Sequence, residues 1–299
     1  MSEFTSFDPY DLPQKERHGY LLTAVAPRPI AFASTVDTEG NVNLSPFSYF
    51  NVFSTNPPIV VFSPTRRGRD NTTKDTQDNL LQVKETVISV VNYPMVEQMS
   101  LSSTAYEKGV NEFVKAGFTQ IPSDKVKPPR VGEAPVSFEC VVDDMIELGN
   151  EGGAGTLVVC RVVQIHLRKE YLDGEGKLDP LKLNLVGRMG GIWYTKTNQD
   201  SMFEIPKPLR KKGIGVDQLP EAIRNSEVLT GNNLGRLANI EQLPSKEEIR
   251  ATLEETNLSR SLEKLSQLPE NEQLPSRHFL AQEVLEAGDL MGAWAVLLS

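Results

Sequence analysis

The chain has little that could staple or span a fold on its own. Its 299 residues include only two cysteines, Cys140 and Cys160. That is too few for a disulfide framework, and without a CxxC pair they give no structural zinc site. In strand-like surroundings they read as buried thiols. The three histidines, His18, His166 and His278, stand alone, with no HExxH and no clustered ligands. No metal site is expected. A GxSxG elbow, a Walker loop and a GxGxxG fingerprint are all missing. The usual sequence marks of serine hydrolysis and of P-loop or Rossmann nucleotide binding are therefore absent. No apolar run approaches the roughly 18 residues of a membrane span. Met1 to Pro9 lacks the basic-then-apolar order of a signal peptide. There is no excess of cations either: 31 Lys and Arg stand against 40 Asp and Glu, a formal charge of −9. That balance argues against nucleic acid as a general partner, but one local basic loop can still hold a small anion. The expectation is a cytoplasmic protein in a reducing compartment, with no membrane and no nucleic-acid partner.

Hydrophobic residues make up 39% and charged residues 24%, enough to bury a sizeable core. From Pro27 to Arg168 the texture is β. Ile30 to Val36 reads as a strand closed by the turn Asp37 to Gly40, with a return strand from Asn41. Ile59 to Ser63 and Thr86 to Asn92 are short buried-strand runs. Val136, Phe138, Cys140 and Val142 alternate, as do Leu157, Val159, Arg161, Val163 and Ile165. The glycine-rich loop Gly149 to Gly155 joins these two as a hairpin. Helices are predicted over Asp75 to Val83 and Met95 to Leu101. Many closely spaced strands argue for a barrel or sandwich rather than a doubly wound parallel sheet. The texture turns polar and helical near Pro206 to Pro208, so a boundary falls near residue 210. Beyond it, Glu221 to Val228, a helix capped by Ser245 with Glu248, Asn257 to Leu268 and Pro275 to Ala287 read as helices. Gly213 to Pro220 and Leu229 to Gly235 read as loop-like.

Three stretches could carry chemistry. Arg66, Arg67, Arg69 and Lys74, with Thr72, Thr73 and Thr76, follow a buried strand and lead into a helix. Helix amides, a lysine charge and hydroxyls together suit a phosphate monoester; a solvated charged turn fits the same residues. Asn43 to Asn51 is aromatic, hydroxyl-rich and broken by Pro46, and can offer backbone groups to a planar ring; an irregular strand with core aromatics fits equally. In Gly187 to Tyr194, adjacent glycines allow close approach and Trp193 or Tyr194 could stack on a ring. A plain turn is the alternative.

Taken together these residues resemble the flavin reductase-like family, the FMN-binding split barrels. The matching blocks are Pro27 to Ala31 with Ser34 and Thr35, Asn43 to Asn51 running on to Pro57 and Pro58, and Lys74 to Thr76 with Asn79. A fourth joins Pro128 to Val131, Ser137 to Cys140, and Gly190 and Gly191 before Tyr194. The resemblance covers about residues 10–210. It implies a mainly β fold, a Greek-key split β-barrel with peripheral helices over residues 1–210. Residues 211–299 would be a mostly helical C-terminal extension, to which the resemblance assigns no role. It also implies a homodimer, with FMN, or FAD, near the interface. Lys74, Asp75 and Thr76 would meet the phosphate, and Ser45, Pro46, Phe47 and Ser48 would line the ribityl chain and ring. Arg28 and Asn51 would lie near the ring or its tail, and Ser63 at the end of its strand joins the cofactor-binding set. No dedicated catalytic residue is expected, because the chemistry is the cofactor's. The expected activity is that of a flavin reductase, an oxidoreductase using NAD(P)H, with a monooxygenase or another protein as possible electron acceptor. A flavoredoxin-like electron carrier and a non-enzymatic FMN-binding dimer scaffold are the alternatives.

Overall fold

The computed structural model describes residues 3–205 and 212–299. Two compact units emerge, Met1–Phe203 and Glu204–Ser299. The boundary expected near Pro206 to residue 210 falls outside the described residues.

In the first unit, helix α1 (Gln14–Ala24) leads into β1 (Ala31–Val36), β2 (Val42–Phe47), β3 (Phe50–Thr55) and β4 (Pro58–Phe62). Helix α2 (Asp75–Gln82) precedes β5 (Glu85–Val90), and α3 (Val96–Leu101) and α4 (Glu112–Ala116) follow it. The short pair β6 (Gln120–Ile121) and β7 (Arg130–Val131) comes before the long strands β8 (Val136–Glu147) and β9 (Thr156–Leu167). A short helix α5 (Pro180–Leu183) and the hairpin β10 (Val186–Arg188) and β11 (Tyr194–Lys196) complete the unit. Seven strands form one sheet in the order β2-β1-β5-β8-β9-β4-β3, and every pairing is antiparallel.

Every residue of β1 is buried, because its two faces feed two cores. Phe32 joins Leu44, Met95, Met99 and Phe113. Its neighbours Ala31 and Ala33 join Phe47, Phe62, Leu80 and Cys140, as side chains alternate along a strand. Cys140 and Cys160 are free and buried in this second core, where burial pushes the Cys140 thiol up to about 12. The β8–β9 hairpin forms as its alternation predicts, with register shifts at Glu139/Cys140 and Val142/Asp144. The stretch Asn43 to Asn51 is two strands rather than one, since β2 ends at Phe47 and β3 begins at Phe50. That break at Ser48 and Tyr49 lets β2 pair with β1 and β3 with β4.

The second unit is helical: α6 (Glu221–Arg224), α7 (Gly231–Leu237), α8 (Lys246–Glu255), α9 (Leu258–Leu265), α10 (Glu270–Glu286) and α11 (Leu290–Leu298). Trp294, Leu285, Leu237 and Ile223 centre its own core. The Ser245–Glu248 capping box opens α8 as the sequence predicts. Other expectations fail for local reasons. Leu229 to Gly235 is not loop, because Thr230 and Asn233 form a capping box that starts α7. Helix α6 stops at Arg224, where the Ser226 hydroxyl accepts from the Val228 and Leu229 amides and turns the chain. Helix α10 begins at Glu270 and carries Pro275 inside it. The chain as a whole is therefore mixed, an antiparallel-sheet unit and a helical one, rather than mainly β.

Candidate functional site

The β2–β3 break and the start of α2 converge on one region. A cavity of about 70 Å³ is bounded by Ser45 on β2, Arg67, Lys74 and Thr76 at the entry to α2, and Ser103 and Tyr106 after α3. A second cavity of about 210 Å³ is bounded by Ile30, Pro46, Ser48, Ser103, Arg188 and Tyr194. Ser103 lines both, and the successive residues Ser45 and Pro46 each face one. The two cavities therefore flank the end of β2, one small and cationic, one wider and partly apolar.

The four cations of the 66–74 loop have different fates. Arg66 is spent on the loop, donating to Asn71 Oδ1 at 2.8 Å and Asn71 O at 2.7 Å. Arg69 pairs with Asp70 at 3.0 Å on the surface. Arg67 donates to Thr72 Oγ1 at 3.0 Å and to the Thr73 carbonyl, and stays on the cavity wall. Lys74 is different again. Its ammonium lies 5.1 Å from the Phe47 ring and has no hydrogen bond or ion pair among the described residues. Burial, reinforced by the Arg67 charge, lowers its pKa. Half-burying a cation without an anion is unfavourable, so the arrangement calls for a negative ligand. The start of α2 agrees: no side chain caps it, and the Asp75 and Thr76 amides have no acceptor among the described residues. Such amides attract anions.

The Thr76 side chain is not free. Its hydroxyl donates to Asn43 Oδ1 at 2.6 Å, and Asn43 Nδ2 donates to Glu112 Oε1 at 3.0 Å. Glu112 Oε2 accepts from the Leu44 amide at 2.9 Å. This buried chain fixes the start of β2 against α2 and α4. What Thr76 offers a ligand is its amide. Burial raises the Glu112 pKa against these hydrogen bonds.

The remaining expected residues scatter. Phe47 lies beneath Lys74, 5.2 Å from the Phe62 ring. Arg28 is buried and lines neither cavity. Its guanidinium donates to the Leu22 and Val25 carbonyls at the C-terminal end of α1 and to Met189 O at 2.9 Å, with Ser48 Oγ at 3.5 Å. Burial, with Arg188 nearby, lowers its pKa. Asn51 lies on the edge strand β3 and accepts from the Val52 amide. Ser63 is buried under Gly155, whose added Cβ would meet Ser63 Oγ at 2.6 Å. Of the glycine-rich stretch, Tyr194 reaches the wider cavity while Trp193 is 73% exposed. Sequence reasoning passed over Ser102 to Tyr106 and Glu112, and in the stretch Gly187 to Tyr194 it weighed the glycines and aromatics but gave Arg188 no role. Only the hydroxyl run Ser100 to Thr104 carried a signal that could have found the first of these.

His166 does not stand alone in the fold. Its Nε2 lies 2.6 Å from Glu139 Oε1 and 3.9 Å from Asp124 Oδ2. The fully buried Glu139 also accepts from the Asp124 and Lys125 amides at 2.8 and 2.6 Å. Burial alone would raise its pKa, but these donors outweigh it and hold the carboxyl below its usual range. Such saturation reads as structural.

The sequence model of the flavin reductase-like domain matches residues 24–183. The chain belongs to the flavin reductase-like family. A relative in Halalkalibacterium halodurans, itself uncharacterized, is 34% identical over 203 residues, which are 67% of this chain and 95% of that protein. Among solved structures, nitrilotriacetate monooxygenase component B from Bacillus cereus superposes with a TM-score of 0.63 at 28% identity, covering 69% of this chain and all of that one. A protein with a split-barrel domain from Shewanella frigidimarina gives 0.56 at 22% identity, over 67% of this chain and 96% of that one, and shares the fold. Residues 204–299 lie beyond the family match. No helix among the described residues is long and apolar enough to cross a membrane.

Proposed function

We propose that the first unit is a Greek-key split barrel that holds FMN without a covalent bond and uses it for NAD(P)H-dependent flavin reduction. The observation that carries this is the unpaired Lys74 ammonium beside Arg67 and the uncapped start of α2. The small cavity there has about 70 Å³, close to the size of one phosphate, and it shares Ser103 with the wider cavity. Lys74, Arg67 and the Asp75 and Thr76 amides would hold the phosphate. Ser45 and Thr104, whose hydroxyls have no partner among the described residues, would add donors. Pro46, Ser48 and Tyr194 would line the ring. The chemistry supplied by the bound cofactor is hydride acceptance from NADH or NADPH at its N5. The chain's task is to orient and desolvate that exchange; no side chain need move a proton. The likeness to a monooxygenase component B supports delivery of reduced flavin to a partner monooxygenase. Val52 and Phe53 on edge strand β3, 59% and 68% exposed, support pairing with a second copy, which sedimentation would test.

The test is the visible spectrum of the purified protein, identification of any released flavin, and titration with each nicotinamide. Bound FMN with rapid, flavin-dependent oxidation of NADH or NADPH is the expected result. Bound FMN indifferent to both nucleotides would turn the reading to an electron carrier. No affinity for FMN or FAD would refute it.

A further inference from the structure

The wider cavity holds a cation that the phosphate does not require. Arg188 lies on its wall beside Pro46 and Ser48, on the far side of the end of β2 from Lys74. Three features fix it. Its guanidinium stacks on the Tyr194 ring, 4.5 Å from the centroid. Nη2 donates to Gly191 O at 3.0 Å. Its backbone exchanges hydrogen bonds with Arg28, N to O at 2.8 Å and O to N at 2.9 Å.

The strand that carries it is clamped on both sides. An added Cβ at Gly187 would meet Pro27 Cβ at 3.0 Å, and one at Gly190 would meet Thr23 Oγ1 at 2.3 Å. Both glycines exist for close approach, and Arg188 sits between them. Nε and Nη1 have no acceptor, and no carboxylate pairs with the guanidinium, among the described residues. A positioned, half-buried cation without a partner acts on whatever negative charge appears in front of it.

We propose that the Arg188 guanidinium, facing the ring, favours the reduced, anionic form of the cofactor over the oxidised, neutral ring. This rests on the flavin reading above and extends it to redox preference. Lys74 and Arg67 face the phosphate, whose charge is the same in both oxidation states, so they bind the two forms alike. A cation at the ring end binds them differently, and only such a difference shifts the equilibrium between them. Tyr194 holds the guanidinium in place.

The experiment uses the full chain. Dissociation constants are measured for oxidised FMN in air and for FMN reduced with dithionite under argon. Wild type, Arg188→Met and Arg188→Lys are compared, with far-UV circular dichroism to confirm folding. Arg188→Met should weaken reduced FMN about tenfold more than oxidised FMN. That is a fall of about 30 mV in the two-electron potential of the bound cofactor. Arg188→Lys, which keeps a charge but not the fork, should fall between. Equal losses in both states would mark a general structural role and overturn the proposal, as would no change in either. Wild type that binds neither form would instead remove the flavin reading itself.

Discussion

Replacing Lys74 by Met separates the phosphate reading from every other account of the basic loop. The substitution keeps an unbranched apolar stem over the Phe47 ring and removes only the charge. A charge-assisted hydrogen bond to a bound anion contributes about 1.5–3 kcal/mol, so FMN affinity should fall about tenfold to a hundredfold. Riboflavin, which has the same ring but no phosphate, should bind the variant as it binds wild type. Fluorescence titration with both ligands reads the difference directly. Equal loss for FMN and riboflavin would mean that Lys74 supports the cavity rather than the anion. No loss for either would send the phosphate elsewhere. The free protein should respond in the opposite direction. Lys74 has a folded pKa lowered from the usual 10.5 by burial and by Arg67. The unfolded chain therefore binds the proton more tightly, and stability rises with pH through the interval between the lowered value and 10.5. Lys74→Met should raise the melting temperature of the ligand-free protein near neutral pH and remove that alkaline rise. A variant no more stable than wild type, with the rise intact, would contradict this account of Lys74.

Glu139→Ala leaves His166 and two amides facing a buried vacancy, and should cost about 3–5 kcal/mol in denaturant unfolding. Because its folded pKa is lowered, Glu139 contributes stability above the unfolded value that is lost as pH falls through the folded one; a variant that melts like wild type at pH 7 would contradict this. Glu112 has the opposite sign. Its raised pKa gives a contribution that is full below 4.5 and lost as pH rises through the folded value, so the stability gap between wild type and Glu112→Gln should shrink over that interval and then level off. Gly190→Ala should cost about 1–3 kcal/mol by driving a methyl into Thr23, with partial recovery in the double variant with Thr23→Ala; additive losses would break the proposed contact. Ser245→Ala should cost about 1 kcal/mol by uncapping α8, read by hydrogen exchange in that helix.

What was legible in the sequence was what local chemistry decides. The β8–β9 hairpin follows from strict alternation around a glycine-rich turn. The Ser245 cap follows from a hydroxyl three residues before a glutamate. The start of α2 at Asp75 follows from helix-forming residues that succeed the basic, turn-rich loop after β4. What was not legible depends on partners far away in the chain. Arg28 is spent on carbonyls of residues 22, 25 and 189, and nothing near residue 28 says so. Arg66, Arg67 and Arg69 look alike in a row, yet Asn71 takes the first and Asp70 the third. The Thr76 hydroxyl looks available to a phosphate until Asn43, 33 residues earlier, is seen to take it. Helix α1 was missed because it buries none of its residues, so it has no apolar stripe for a periodicity argument to detect.

Two carboxylates line the small cavity, Glu112 and Asp75, and their geometry leaves room for an anion. Both oxygens of Glu112 face donors other than the cavity, Asn43 Nδ2 and the Leu44 amide, and burial favours its neutral form. Asp75 stands in the first turn of α2, where a negative charge suits the positive end of the helix. It therefore offsets the α2 dipole while leaving Lys74 and Arg67 unneutralised. A bound phosphate would sit against those two cations and the same amides, competing with Asp75 only for the helix end. Asp75→Asn removes the competitor and the repulsion together, and should tighten FMN several-fold while leaving riboflavin unchanged. Weaker FMN binding in that variant would mean that Asp75 holds the ligand through an acceptor role, and the phosphate would have to be moved away from the start of α2.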